Sequence, residues 1–119
     1  MQRTRITIAL LGAALVVVAP ATAATAHSVA KTTTITVKMT EFKFTLSKAS
    51  APKGTVVFKV ANKGHVAHDF KINGKKTPMV APGKSATLTG KFTKAGKFVY
   101  LCTVPGHAAS GMKGTLTVK

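Results

Sequence analysis

Beyond position 31 the chain alternates apolar and polar residues singly, a period of two that belongs to half-buried strands and not to helices. Ile35, Val37 and Met39 alternate with Thr34, Thr36 and Lys38, and Phe42, Phe44 and Leu46 with Lys43, Thr45 and Ser47. The phase slips by one residue near Thr40 and Glu41, which predicts a bend or bulge there. Val56, Phe58 and Val60 follow a turn at Pro52-Lys53-Gly54, and Ala86, Leu88 and Phe92 alternate with Thr87, Thr89 and Lys91. Phe98, Tyr100 and Cys102 share a face in the next segment, and Met112, Leu116 and Val118 share one in the last. Asn73-Gly74 is a hairpin signal, and Pro82-Gly83 and Ala95-Gly96 mark two more breaks. Turns recurring every ~8–12 residues with no helical period predict an all-β domain, a Greek-key antiparallel β-sandwich of about seven to eight strands.

The first residues read differently. Arg3 and Arg5 precede an apolar run over 6–19, then Pro20 and small residues. The run is shorter than the ~20 residues that span a bilayer, and its flanks match a cleavable secretory signal. Ala24-Thr25-Ala26 fits the small-x-small cleavage pattern, with Ala21-Thr22-Ala23 as the alternative and an uncleaved anchor helix as the competing reading. The expected division is a signal peptide over 1–26 and one domain over 27–119, secreted or periplasmic in a bacterium, with no transmembrane segment after cleavage.

Composition narrows the chemistry. The chain has 18 basic residues against two acids, Glu41 and Asp69, for a net charge of +16. Two acids leave no carboxylate pair for glycosidase-type catalysis and too few hard oxygen ligands for a calcium or magnesium cage. Removing Arg3 and Arg5 with the signal leaves 16 lysines against two acids, or +14. Lys38, Lys43, Lys59, Lys91 and Lys113 fall at outward positions, where they discourage edge pairing and solvate the surface. A field of that size also favours partners that are acidic at the contact surface, or anionic cell-surface polymers, and its like charge argues for a monomer. Nucleic acid is not expected, because no aromatic stacking face accompanies the lysines. One cysteine in an exported chain has no partner for an internal disulfide, which points to an intermolecular bridge, a reactive thiol or a metal ligand.

That cysteine lies in the densest chemistry of the sequence, Tyr100-Leu101-Cys102-Thr103-Val104-Pro105-Gly106-His107-Ala108-Ala109-Ser110-Gly111-Met112. Four residues separate Cys102 from His107, and four separate His107 from Met112. Pro105-Gly106 bends the chain between the first two, and strand phase sends both sulfurs to one interior end of the sandwich. Thiolate, imidazole and thioether form a soft set that prefers copper, whereas structural zinc takes four cysteine or histidine ligands. Two histidines and a cysteine with a long axial methionine make a blue-copper electron-transfer centre, so a second histidine is required. His65 and His68 in Asn62-Lys63-Gly64-His65-Val66-Ala67-His68-Asp69-Phe70 are the candidates. Alternation with Phe70 and Ile72 favours His68 pointing inward, with Asp69 facing out or capping a loop, and leaves His65 on the solvent side. Met39 reads as core. Met79, in the apolar loop Thr77–Pro82, reads either as part of a docking patch beside His107 or as a loop folded over the sheet edge.

With these segments in view, the chain resembles the cupredoxins, the small blue copper proteins, over essentially all of 27–119. The resemblance rests on Asn62-x-Gly64 running to His68-Asp69-Phe70, on Tyr100-x-Cys102-x-x-Pro105-Gly106-His107 and on Gly111-Met112. The spacing from His107 to Met112 is similar to that of rusticyanin. The resemblance implies one type 1 copper ion held by His68, Cys102 and His107 with Met112 axial, and an edge of His107 at the surface as the electron's exit. It implies a single-electron carrier cycling Cu(I)/Cu(II) between redox donor and acceptor proteins, and not an enzyme. The alternative is a copper chaperone or buffer without redox turnover. Asp69 departs from the asparagine or serine that many relatives carry after the first histidine.

Overall fold

The computed structural model describes residues 12–22 and 31–119. Among the described residues nine strands form: β1 (Thr32–Thr40), β2 (Lys43–Leu46), β3 (Ser50–Ala51), β4 (Gly54–Asn62), β5 (Lys71–Ile72), β6 (Lys75–Lys76), β7 (Ser85–Phe92), β8 (Gly96–Leu101) and β9 (Lys113–Val118). They build one sheet in the order β2-β1-β4-β7 and a second in the order β3-β9-β8-β5-β6. The expected all-β sandwich is present, and three of the nine strands are only two residues long.

The alternation works as the pattern requires. Ile35, Val37 and Met39 of β1 and Val56, Phe58 and Val60 of β4 are buried, while Thr34, Thr36, Lys38 and Lys59 face water. Leu88 and Phe92 complete this side of the core, and Ile72, Leu116 and Val118 meet it from the other sheet. Phe70, fully buried, has ring centroids 5.1 Å from Phe58 and 5.3 Å from Phe44. Each such burial is worth about 1.5–3 kcal/mol, which fastens the backbone beside Phe70 to the core.

Two features differ from an antiparallel reading. β1 pairs with β4 in parallel, Met39 opposite Asn62, and β3 pairs with β9 in parallel. The cause is topological: after β2 the chain crosses to the second sheet as β3 and re-enters the first as β4, running in the same direction as β1. The phase slip at Thr40-Glu41 is not a bulge but a two-residue turn, with Thr40 opposite Lys43 across the β1–β2 hairpin. Phe42, at φ 60°, occupies the left-handed region, a genuine outlier for a bulky side chain. Asn73 and Gly74 both have positive φ, the conformation of a type I′ turn, and join β5 to β6 as the sequence predicts.

Residues 12–22 have no regular structure, and Leu15, Val16, Val17 and Val18 are all exposed. The expected cleavage site at 24–26 lies outside the described residues. No helix among the described residues is long and apolar enough to cross a membrane.

Candidate metal centre

Three chain segments converge at one end of the sandwich. β8 runs out at Leu101 and delivers Cys102, whose N–H donates to the Met112 carbonyl at 3.1 Å. Between them the chain folds into consecutive turns. His107 N–H donates to the Val104 carbonyl across Pro105-Gly106, with Gly106 at φ 83°. This is the type II turn that a Pro-Gly pair prefers. Ser110 N–H reaches the Gly106 and His107 carbonyls, Gly111 N–H the Ala108 carbonyl, and Met112 N–H the His107 carbonyl at 3.0 Å. The loop therefore bonds in large part to its own backbone and is closed at its base by the Cys102–Met112 bond.

The second segment brings His68. Its N–H donates to the Val80 carbonyl at 3.1 Å and its carbonyl accepts from Val80 N–H at 2.8 Å, so a single bridge seats it beside the strand-like stretch before Pro82. Asn62 secures the approach. Its side-chain amide donates to the Val66 and Val80 carbonyls, both at 2.8 Å, while its Oδ1 accepts from Gly64 N–H at 2.9 Å.

Asp69 ties the two segments together. It is buried, and its carboxylate accepts from Thr103 N–H at 2.6 Å and from the Thr103 hydroxyl. Of the two orientations open to Asp69 in the sequence, the structure takes the loop cap, which interrupts alternation and leaves His68, Asp69 and Phe70 all buried.

His68 Nδ1 and His107 Nδ1 stand 3.1 Å apart, and Cys102 Sγ lies 4.0 Å from the first and 3.6 Å from the second. Bonds of about 2.0 Å to imidazole nitrogen and 2.3 Å to thiolate allow two ligands of one ion to be at most about 4.3 Å apart. All three separations pass, and the soft donors fit one type 1 copper ion. His68 and Cys102 are buried and His107 is partly exposed. Met112 is fully buried, with its backbone bonded to both Cys102 and His107. Burial pushes the Cys102 thiol above its usual range. His65 is exposed and outside the cluster. Met79 is exposed on the segment that bridges to His68, and Met39 is core as expected.

Sequence reasoning missed the first sheet's contribution. The β1–β2 turn places Glu41 against His68, Nε2 to Oε1 at 3.2 Å, and Phe42 edge-on against His107, with ring centroids 5.1 Å apart at 81°. Glu41 Oε1 also accepts from His65 N–H at 2.7 Å and Val66 N–H at 3.0 Å. The His65 amide, foremost, holds the carboxyl down to about 2, so it is ionised at neutral pH. The available signal was scarcity: Glu41 is one of two acids in the chain.

A family model described as a Cupredoxin-like domain matches residues 8–118. The copper-resistant cuproprotein CopI of Pseudomonas aeruginosa is 54% identical over 41 residues, 34% of this chain and 23% of that protein. A dithionite-reduced auracyanin from the photosynthetic bacterium Roseiflexus castenholzii superposes with a TM-score of 0.64 at 25% identity, covering 73% of this chain and 97% of the other. Rusticyanin from Thiobacillus ferrooxidans does so with a TM-score of 0.62 at 26% identity, covering 75% of this chain and 78% of the other. The chain covers between 14% and 52% of the length of the curated relatives it matches, copper-containing nitrite reductases standing at the low end.

Proposed function

The chain belongs to the cupredoxin-like family, and on that premise we propose that it is an exported single-electron carrier whose copper is held by His68, Cys102, His107 and Met112. The observation that carries this reading is the meeting of two Nδ1 atoms and one Sγ within 4.0 Å, drawn from segments 34 residues apart. Bound copper supplies the Cu(II)/Cu(I) couple. The protein supplies a nearly fixed donor frame, because hydrogen bonds within the Cys102–Met112 loop and the Asp69–Thr103 tie hold the ligand segments through the protein's own groups. A frame already assembled has little to rearrange when the charge on the ion changes. His107, partly exposed, offers the route for the electron, with Phe42 against its ring.

The exposed apolar stretch at 15–18 supports a leader over 1–26, cleaved on export to the periplasm or the exterior. The field of 16 lysines supports redox donors and acceptors that are acidic where they dock. Carriage and not catalysis is supported by coverage: the auracyanin and rusticyanin matches span 73% and 75% of this chain and most of those proteins, whereas the nitrite reductase match spans 14% of that enzyme.

Adding Cu(II) to the purified, metal-free protein over 27–119 tests the reading. An intense visible thiolate-to-copper band, lost in Cys102→Ser, is expected; no band, or a band indifferent to that change, overturns it. A second reading, copper handling without turnover, draws on the similarity to CopI. Voltammetry separates the two, since a carrier gives a reversible one-electron wave and a buffer is redox-silent while passing Cu(I) to an acceptor.

A further inference from the structure

The whole sequence holds two acidic side chains, and both sit at this one end of the sandwich. Asp69 has an evident task in joining the ligand segments. Glu41 needs another explanation, because it reaches His68 from 27 residues away, out of the turn between β1 and β2. Three features show that its place is built. The parallel pairing of β1 with β4 carries the end of β1 to the start of the His68 segment, where Lys63 N–H donates to the Met39 carbonyl at 2.8 Å. The turn that projects Glu41 keeps Phe42 at a positive φ, which only an over-determined surrounding sustains. Finally, Gly64 leaves the space that the carboxylate occupies, since a methyl group there would overlap Oε1. The motif Asn62-x-Gly64 thus acquires a reason: Asn62 holds the turn and Gly64 admits Glu41.

A carboxylate cannot donate, so the hydrogen bond at 3.2 Å puts the His68 proton on Nε2. In the neutral ring the opposite nitrogen, Nδ1, then presents its lone pair toward His107 Nδ1 and Cys102 Sγ. We propose that Glu41 is a positioning residue of the copper centre, fixing the tautomer and ring orientation of His68 and biasing the ion toward its oxidised state. The bias follows from charge: a carboxylate bonded to a ligand imidazole raises its basicity and favours the more positive ion. This rests on the copper reading above, but its first test does not need copper.

In the metal-free wild-type protein, nitrogen-15 NMR of the histidine rings at neutral pH reads the tautomer directly. A neutral His68 with its proton on Nε2 supports the proposal, and a proton on Nδ1 overturns it. The second test uses Glu41→Gln, whose amide oxygen is still able to cap His65 and Val66 N–H but carries no charge. On the copper-loaded protein the oxidised-to-reduced ratio against a fixed reference couple is expected to fall about tenfold, a rise in potential of about 59 mV. Cu(II) affinity is expected to fall by about 10–100-fold. A potential and an affinity both within twofold of wild type reduce Glu41 to a loop cap and overturn the proposal. If wild type itself takes up no copper, the electron-carrier reading fails and the NMR result alone decides the role of Glu41.

Discussion

Cys102 illustrates how a single side chain sets the terms of metal uptake. Its thiol is buried and held above the usual range, so in the metal-free protein at neutral pH the sulfur keeps its proton. With copper held as proposed the thiolate would be the ligand, so binding would displace that proton. Copper uptake should therefore release about one proton per ion, and affinity should rise with pH toward the thiol's range; a dye in weakly buffered solution reads the release. Asp69 sets a second term. Asp69→Ala removes both bonds to Thr103 and should destabilise the metal-free protein by about 1–3 kcal/mol, with Asp69→Asn recovering part of the loss, as urea midpoints will show. Met112→Leu should keep the visible band and raise the potential, because a thioether favours the oxidised ion more than a methyl group does. At this scale the sequence was legible as far as the meeting of His68, Cys102 and His107. Cys102, His107 and Met112 are neighbours along the chain, and soft donors at loop spacing announce themselves. His68 is favoured over His65 by its phase with Phe70 and Ile72, and all three are buried, although the buried Asp69 breaks the alternation between them.

Among the elements, the parallel β1–β4 ladder decides what the site can contain. Were these strands antiparallel, the Glu41 end of β1 would lie beside Gly54, at the far end of β4 from His68. Single alternation looks the same in either direction, which is why the pattern announced strands yet concealed Glu41. Phe42 was hidden by the same ambiguity: it continues the alternation of Phe44 and Leu46, but belongs to the turn and is 42% exposed. Pairing between β8 and β9 yields a separate prediction. Tyr100 lies opposite Gly114, and its ring covers the glycine so closely that a side chain there would overlap it. Gly114→Ala should cost about 1–3 kcal/mol of stability by forcing the ring aside, while leaving the copper absorption band in place; thermal melts and a visible spectrum check both.

Seen as a whole, the molecule is a polycation with its two acidic side chains gathered at one pole. Its reaction with a small anionic oxidant such as ferricyanide should slow as salt rises and the Debye length shrinks toward about 8 Å at physiological strength. A cationic oxidant should show the opposite slope; flat responses to both would mean that the lysines do not steer encounter. The sandwich and the ligand loop divide the labour of the fold. Because the Cys102–Met112 stretch bonds to itself and is clasped at its base, its length is decoupled from the sheets that carry it. A changed residue count between His107 and Met112 would then disturb the bonds inside that stretch and leave the sheets standing, as a string is restrung without recasting the soundboard.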